Sequence, residues 1–189
     1  MKRDKRQRLD WMPDSTSDRD FLVGSEQNRL RRIGILAALI GLVTDQASKL
    51  WLLFGYAIEQ NQPIRVTPFF DIIAVWNYGI SYGLFQQNSV LGQWVLLVVT
   101  GIALIFLCLW LWRAENRLSA LSLGLIIGGA IGNGIDRMAY GAVFDFASFH
   151  FQSFSWYIFN AADVWIVAGV IGLLYDGFVS RPEKATNHE

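Results

Sequence analysis

Residues 90–112 read VLGQWVLLVVTGIALIFLCLWLW. The run carries no charge, and beyond its aromatics only Gln93 and Thr100 are polar side chains. A helix rising ~1.5 Å per residue needs about 20 residues to cross a hydrocarbon core of ~30 Å, so this stretch is long enough to span a bilayer. Three further stretches reach that length. They run from about Ile33 to Phe54, from about Leu118 to Ile135 and from about Trp156 to Phe178. The third of the four spans is rich in Gly and Ala, which lets helix backbones approach closely.

Composition agrees with that reading. Of 189 residues 53% are hydrophobic and 17% charged, against about a quarter charged in soluble domains. The fold class expected is an all-α membrane protein with four transmembrane helices. A small extracytoplasmic β-structure is expected after the first helix, because Ile64–Thr67 and Asp71–Trp76 have strand-like composition, with Pro63 and Pro68 as punctuation. Residues 138–155 hold seven aromatics or histidines and suit a loop resting on lipid.

The net charge of zero hides an asymmetry. Nine of the sixteen Lys and Arg residues lie in the first 32 positions. Residues 1–32 are polar and read as a disordered arm, residues 33–178 as the membrane domain and 179–189 as a tail. Arg29, Arg31 and Arg32, then Arg113 and Arg117, then Arg181 and Lys184 all fall on one side if there are four spans. Basic residues gather on the cytoplasmic side, so both termini are expected there.

Several chemistries find no support. The basic cluster is mixed with six acids and carries no recognisable nucleic-acid fold, so no nucleic-acid partner is expected. A lone Cys108 inside an apolar run cannot form an internal disulfide. Two histidines, His150 and His188, are too few and too far apart for a typical zinc site. No metal and no cofactor is expected. Ser48 and Lys49 are adjacent, so on a helix they diverge by about 100° and make a poor Ser–Lys dyad.

Carboxylates inside a bilayer are costly and mark function by default. From Ile33, Asp45 lies about 18 Å along a helix, in the outer half of the core. Asp163 enters from the opposite side, seven residues after Trp156, roughly 10 Å below the same boundary. Asp136 and Arg137 fall at the outer end of the third span, and Asp145 follows in the outer loop. The carboxylates thus converge on one outward-facing layer. Two that approach closely cannot both ionise, so one keeps a proton while the other can take one from water. Asp45 and Lys49 stand in the favourable i, i+4 order for a same-face pair.

Five strings complete the picture: Asp45-Gln46-Ala47-Ser48-Lys49, Asn77-Tyr78-Gly79, Gly128 to Arg137, Val143-Phe144-Asp145-Phe146 and Phe159-Asn160-Ala161-Ala162-Asp163. In order and spacing they resemble the lipoprotein signal peptidase family, also called signal peptidase II, over roughly residues 33–178. The resemblance implies a bacterial inner-membrane aspartic endopeptidase with its active site near the outer face. Its substrates would be prolipoproteins, cut before a diacylglyceryl-modified cysteine. It assigns the catalytic pair to Asp145 and Asp163 and implies inhibition by the cyclic lipopeptide globomycin. Supporting or substrate-binding roles are expected for Asp45, Lys49, Asn77, Gly79, Asn133, Asp136, Arg137 and Asn160. Membrane lipids are expected neighbours. One departure stands out: Ile80-Ser81-Tyr82-Gly83 replaces the family's common Ala-Ala-Phe-Ser. A noncatalytic lipoprotein-binding protein and a small proton-coupled transporter are the competing readings.

Overall fold

The structure is a computed structural model that describes residues 15–79, 90–151 and 154–179, with side chains from Gly24 onward except at positions 90 and 155. Helix α1 runs Ser15–Leu50 and continues as a π-helical turn, Trp51–Gly55. A short α2 (Ile58–Asn61) leads to strands β1 (Ile64–Thr67) and β2 (Phe70–Asn77). Then come α3 (Val90–Trp112), α4 (Arg117–Tyr140), β3 (Val143–Phe151), β4 (Phe154–Ser155) and α5 (Ala161–Val179). Among the described residues, four helical stretches are long and apolar enough to cross a membrane: Gly24–Gly55, Leu91–Trp112, Arg117–Tyr140 and Ala161–Val179.

Helix α4 is the centre of the bundle, packing against α1, α5 and α3. Its glycines make this possible. A Cβ at Gly128 would collide with the Ala38 carbonyl of α1, and one at Gly129 would lie 2.5 Å from the Ala162 carbonyl of α5. Backbone-to-backbone packing of this kind replaces the hydrophobic driving force that helices lack in lipid. The ends of α4 are capped. Asn116 accepts the Ser119 N–H at 2.8 Å, and Gly141, at φ 74°, closes the helix with its N–H on the Arg137 carbonyl. A left-handed residue there turns the chain directly into β3.

The small sheet is antiparallel in the order β1-β2-β3-β4. Opposite Asp145 stands Val75, and a bulge in β2 between Ile72 and Val75 shifts the register there. Phe144 is fully buried and packs with Leu52 and Ile58, so the sheet sits on the end of α1. At the other end of the bundle Arg31 donates to the Trp112 carbonyl at 3.3 Å, with its guanidinium 4.5 Å from the Trp112 ring centroid. The basic residues around Arg31 and those after Trp112 therefore share one end, opposite the sheet.

Four boundaries differ from the expectation. Helix α1 begins at Ser15, so it runs through much of the stretch read as a disordered arm. Extending a helix that is already nucleated costs little per residue, which low hydrophobicity alone does not reveal. Helix α4 continues to Tyr140, placing Asp136 and Arg137 within its last turns. Asp145 lies on a strand and not in a loop. Helix α5 starts at Ala161 and not at Trp156, which puts Asp163 in its first turn.

Candidate active site

The start of α5 is written in its sequence. Asn160 accepts the Asp163 N–H on its side-chain oxygen at 3.1 Å, while the Asp163 carboxylate accepts the Asn160 N–H at 3.3 Å. This reciprocal pair is a capping box, with the amide at N-cap and the carboxylate at N3. It satisfies two orphan donors and fixes the Asp163 side chain at the mouth of the helix.

The same Asn160 reaches the second carboxyl. Its side-chain amide donates to Asp145 Oδ1 at 2.6 Å and to Asn133 Oδ1 at 3.1 Å. Asn133 in turn donates to Asp163 Oδ1 at 3.1 Å. From β2, Asn77 donates to Asp145 Oδ2 at 3.0 Å. Asp145 is 1% exposed. Burial and then the Asp163 charge push its carboxyl up to about 7, against the opposing pull of the Asn77 and Asn160 donors. One residue, Asn160, thus ties the two carboxyls into a single network.

A buried ionic cluster supports it. Lys49 Nζ lies 2.9 Å from Asp45 and 2.8 Å from Asp136, and donates to Asn133 at 3.1 Å. Each of its acidic partners holds a piece of backbone. Asp45 Oδ1 accepts the Ala162 N–H at 2.9 Å, and Asp136 Oδ2 accepts the Phe144 N–H at 3.2 Å. Those are the residues next to Asp163 and Asp145. The cluster therefore pins both carboxyl-bearing segments to α1 and α4.

Arg137 donates to the Gly79 carbonyl at 3.2 Å, and the Gly79 N–H returns to the Asn77 side chain at 3.0 Å. All ten residues singled out from the sequence come together in this one region. Two partners were missed. Gln46 bridges Asp136 Oδ1 at 3.0 Å and the Gly132 carbonyl at 3.2 Å, and the Tyr157 hydroxyl lies 3.5 Å from Asn77. A second polar side chain beside Asp45 at that depth was the signal for Gln46. Tyr157 stands among other aromatics and carries none. Residues 80–83 lie outside the described residues. Among those described, no group of three or more His, Cys, Asp and Glu is placed to hold a metal ion.

A cavity of about 660 Å³ opens beside Asp163 and Asn133 and follows α5 past Val167 to Ile171. It offers an apolar trough with its polar end at Asp163 and Asn133.

Residues 37–179 match the family model described as signal peptidase (SPase) II. The chain belongs to the signal peptidase II family. A lipoprotein signal peptidase of Nitrobacter hamburgensis is 56% identical over 155 residues, covering 80% of this chain and 94% of that protein. One from Beijerinckia indica is 57% identical over 151 residues, covering 80% and 90%. A bacterial membrane enzyme solved by the in meso method at 2.3 Å resolution shares the fold. It has a TM-score of 0.67 and 27% identity, over 81% of this chain and 94% of that one. This family member is a multi-pass bacterial membrane peptidase.

Proposed function

We propose that this signal peptidase II family member is an aspartic endopeptidase that removes signal peptides from prolipoproteins, cutting before a diacylglyceryl-modified cysteine. The observation that carries the reading is the shared network of Asp145 and Asp163 through Asn160. Both residues also stand at the positions where the sequence resembles the family's catalytic pair.

The chemistry follows from one proton held between two carboxyls. Asp145, pushed up to about 7, keeps its proton near neutrality and donates it toward the scissile carbonyl oxygen. Asp163, ionised, takes a proton from the attacking water. The tetrahedral species collapses as Asp163 passes its proton to the leaving amine and Asp145 takes a proton back from the hydroxyl, which restores the starting pair. No metal or nucleophilic side chain takes part, so chelators and serine-directed reagents are expected to leave the rate unchanged.

The apolar trough along α5 suits a substrate whose signal helix and lipid chains are both buried in the bilayer. With basic residues gathered at the Arg31–Trp112 end, both termini face the cytoplasm and the site lies at the outer edge of the inner membrane. Globomycin, the inhibitor expected from the resemblance, would compete for the same site. Lys49, Asp45, Asp136 and Asn133 hold the carboxyl-bearing segments, while Asn77, Gly79 and Arg137 border the space a peptide backbone would fill.

The test is cleavage by the purified enzyme of one prolipoprotein, with and without diacylglyceryl on its cysteine. Cleavage of the lipidated form alone is expected. Equal cleavage of both forms would remove the lipid from the substrate description, and cleavage of neither would remove the proposed activity.

A further inference from the structure

Strand β3 changes character along its length. It is buried at Val143–Asp145, whereas Phe149 and Phe151 are 43% and 66% exposed. Strand residues alternate between faces, so Asp145, Ala147, Phe149 and Phe151 share one side. Next to the exposed pair stand Phe154 at 61% and Trp156 at 53%, and Phe69 from the β1–β2 turn at 51%. These five rings border a common cavity of about 540 Å³. Two bonds join the hairpin ends that carry them. His150 Nε2 lies 3.0 Å from Asp71 Oδ2, and the His150 N–H donates to the Phe69 carbonyl at 3.0 Å.

An exposed cluster of this kind marks an interaction surface. Its position in the chain says which one. Trp156 lies five residues before Ala161, where α5 begins as a membrane-spanning helix. The cluster therefore sits where the chain re-enters the bilayer, and aromatic rings are the side chains that favour the boundary between headgroups and acyl chains.

We propose that the tip formed by Phe69, Phe149, Phe151, Phe154 and Trp156 is a membrane-interface anchor that seats the sheet in the leaflet on its own side. Phe149 and Phe151 of the tip are joined to Asp145 by one continuous strand, β3. Four residues at ~3.3 Å each separate Phe149 from Asp145, about 13 Å. Anchoring the tip sets the height of Asp145 in the membrane, while Asp163 rides on a span. The two carboxyls are thereby held level by the same bilayer. This inference concerns where the sheet sits and does not depend on the reaction proposed above.

Depth can be measured with nitroxide spin labels on the full chain in phosphatidylcholine liposomes, in a Cys108→Ser background. Labels at Phe151→Cys and, separately, Phe154→Cys each leave four of the five rings in place. Gln60→Cys, exposed on α2, serves as the water-facing reference. Oxygen partitions into the bilayer and a nickel chelate stays in water. The ratio of oxygen to nickel accessibility is expected to be several-fold higher at 151 and 154 than at 60. Equal ratios at all three positions would place the tip in water and overturn the proposal. Protection of 151 and 154 from both relaxants would overturn it in favour of a protein contact or a second copy.

Discussion

The Asn160 side-chain amide donates to Asp145 across 2.6 Å, the shortest tie between the sheet and the start of α5 at this site. Because the same residue caps α5 with Asp163, it couples the placement of one carboxyl to that of the other. Asn160→Ala removes the donor to Asp145 and the acceptor for the Asp163 N–H. Losing the cap costs about 1 kcal/mol of stability. The larger effect is expected on the reaction: small misplacements of reacting groups cost on the order of 100-fold, so kcat should fall by about that factor. Steady-state kinetics with a melting curve separates the two, and a kcat within twofold of wild type would remove the coupling role.

The pH profile should carry the mark of Asp145. Its carboxyl sits at about 7, and if it supplies the proton, kcat/KM falls as pH rises through that value. The apparent value belongs to the carboxyl pair and not to one residue. Asn77 bonds the charged form and pulls the value down. Asn77→Ala should therefore move the alkaline limb to higher pH. A limb that stays put or moves lower would contradict the assignment.

Stability should respond to the same group. The folded-state value of Asp145, about 7, lies above the ordinary 3.8. The folded protein thus holds a proton that the unfolded chain has released. This contribution is fully present below about pH 4 and is lost as pH rises through about 7, over a range worth up to about 4 kcal/mol. Asp145→Asn cannot ionise, so its melting temperature relative to wild type should climb between pH 4 and 8. A constant difference across that range would refute the linkage.

Lys49 is 2% exposed and faces two carboxylates. Lys49→Met keeps the volume and removes the charge, leaving Asp45 and Asp136 without their cation. Breaking a buried ionic arrangement from one side costs about 3–5 kcal/mol. Loss of a cooperative melt or a large drop in midpoint is expected in detergent, whereas a shift below a degree would show that the cluster contributes little.

How far the sequence reaches is clear from particular residues. Helix α3 spans 90–112 in both readings, because an uninterrupted apolar run leaves the backbone no other way to satisfy its polar groups in lipid. β1 and β2 were legible from β-branched residues and prolines. Of the ten candidate residues, Asp45, Lys49 and Asp163 stood out as polar groups at membrane depth, whereas Asn77, Gly79, Asn133, Asn160 and the pairing of Asp145 with Asp163 came from the motif resemblance. The strand status of Asp145 was hidden by the reading of 138–155 as an aromatic loop, although Phe144 and Phe146 flank Asp145 in strand alternation. The start of α5 was misplaced because Trp156 to Ile158 are uncharged and aromatic-rich, as the interfacial turn of a membrane helix can be. The Asn160–Asp163 spacing that sets the true boundary is a capping signal of only two residues. What the sequence could not show is that Asn160 reaches across to β3, since that contact depends on tertiary packing.

The most direct measurement is turnover of a diacylglyceryl-modified prolipoprotein by purified Asp145→Asn and Asp163→Asn, each shown to insert and accumulate. Neither variant should cleave above background, because an amide at 145 removes the proton donor and an amide at 163 removes the base that takes a proton from water. Turnover near the wild-type rate by either one would contradict the role of these two carboxyls as the working pair.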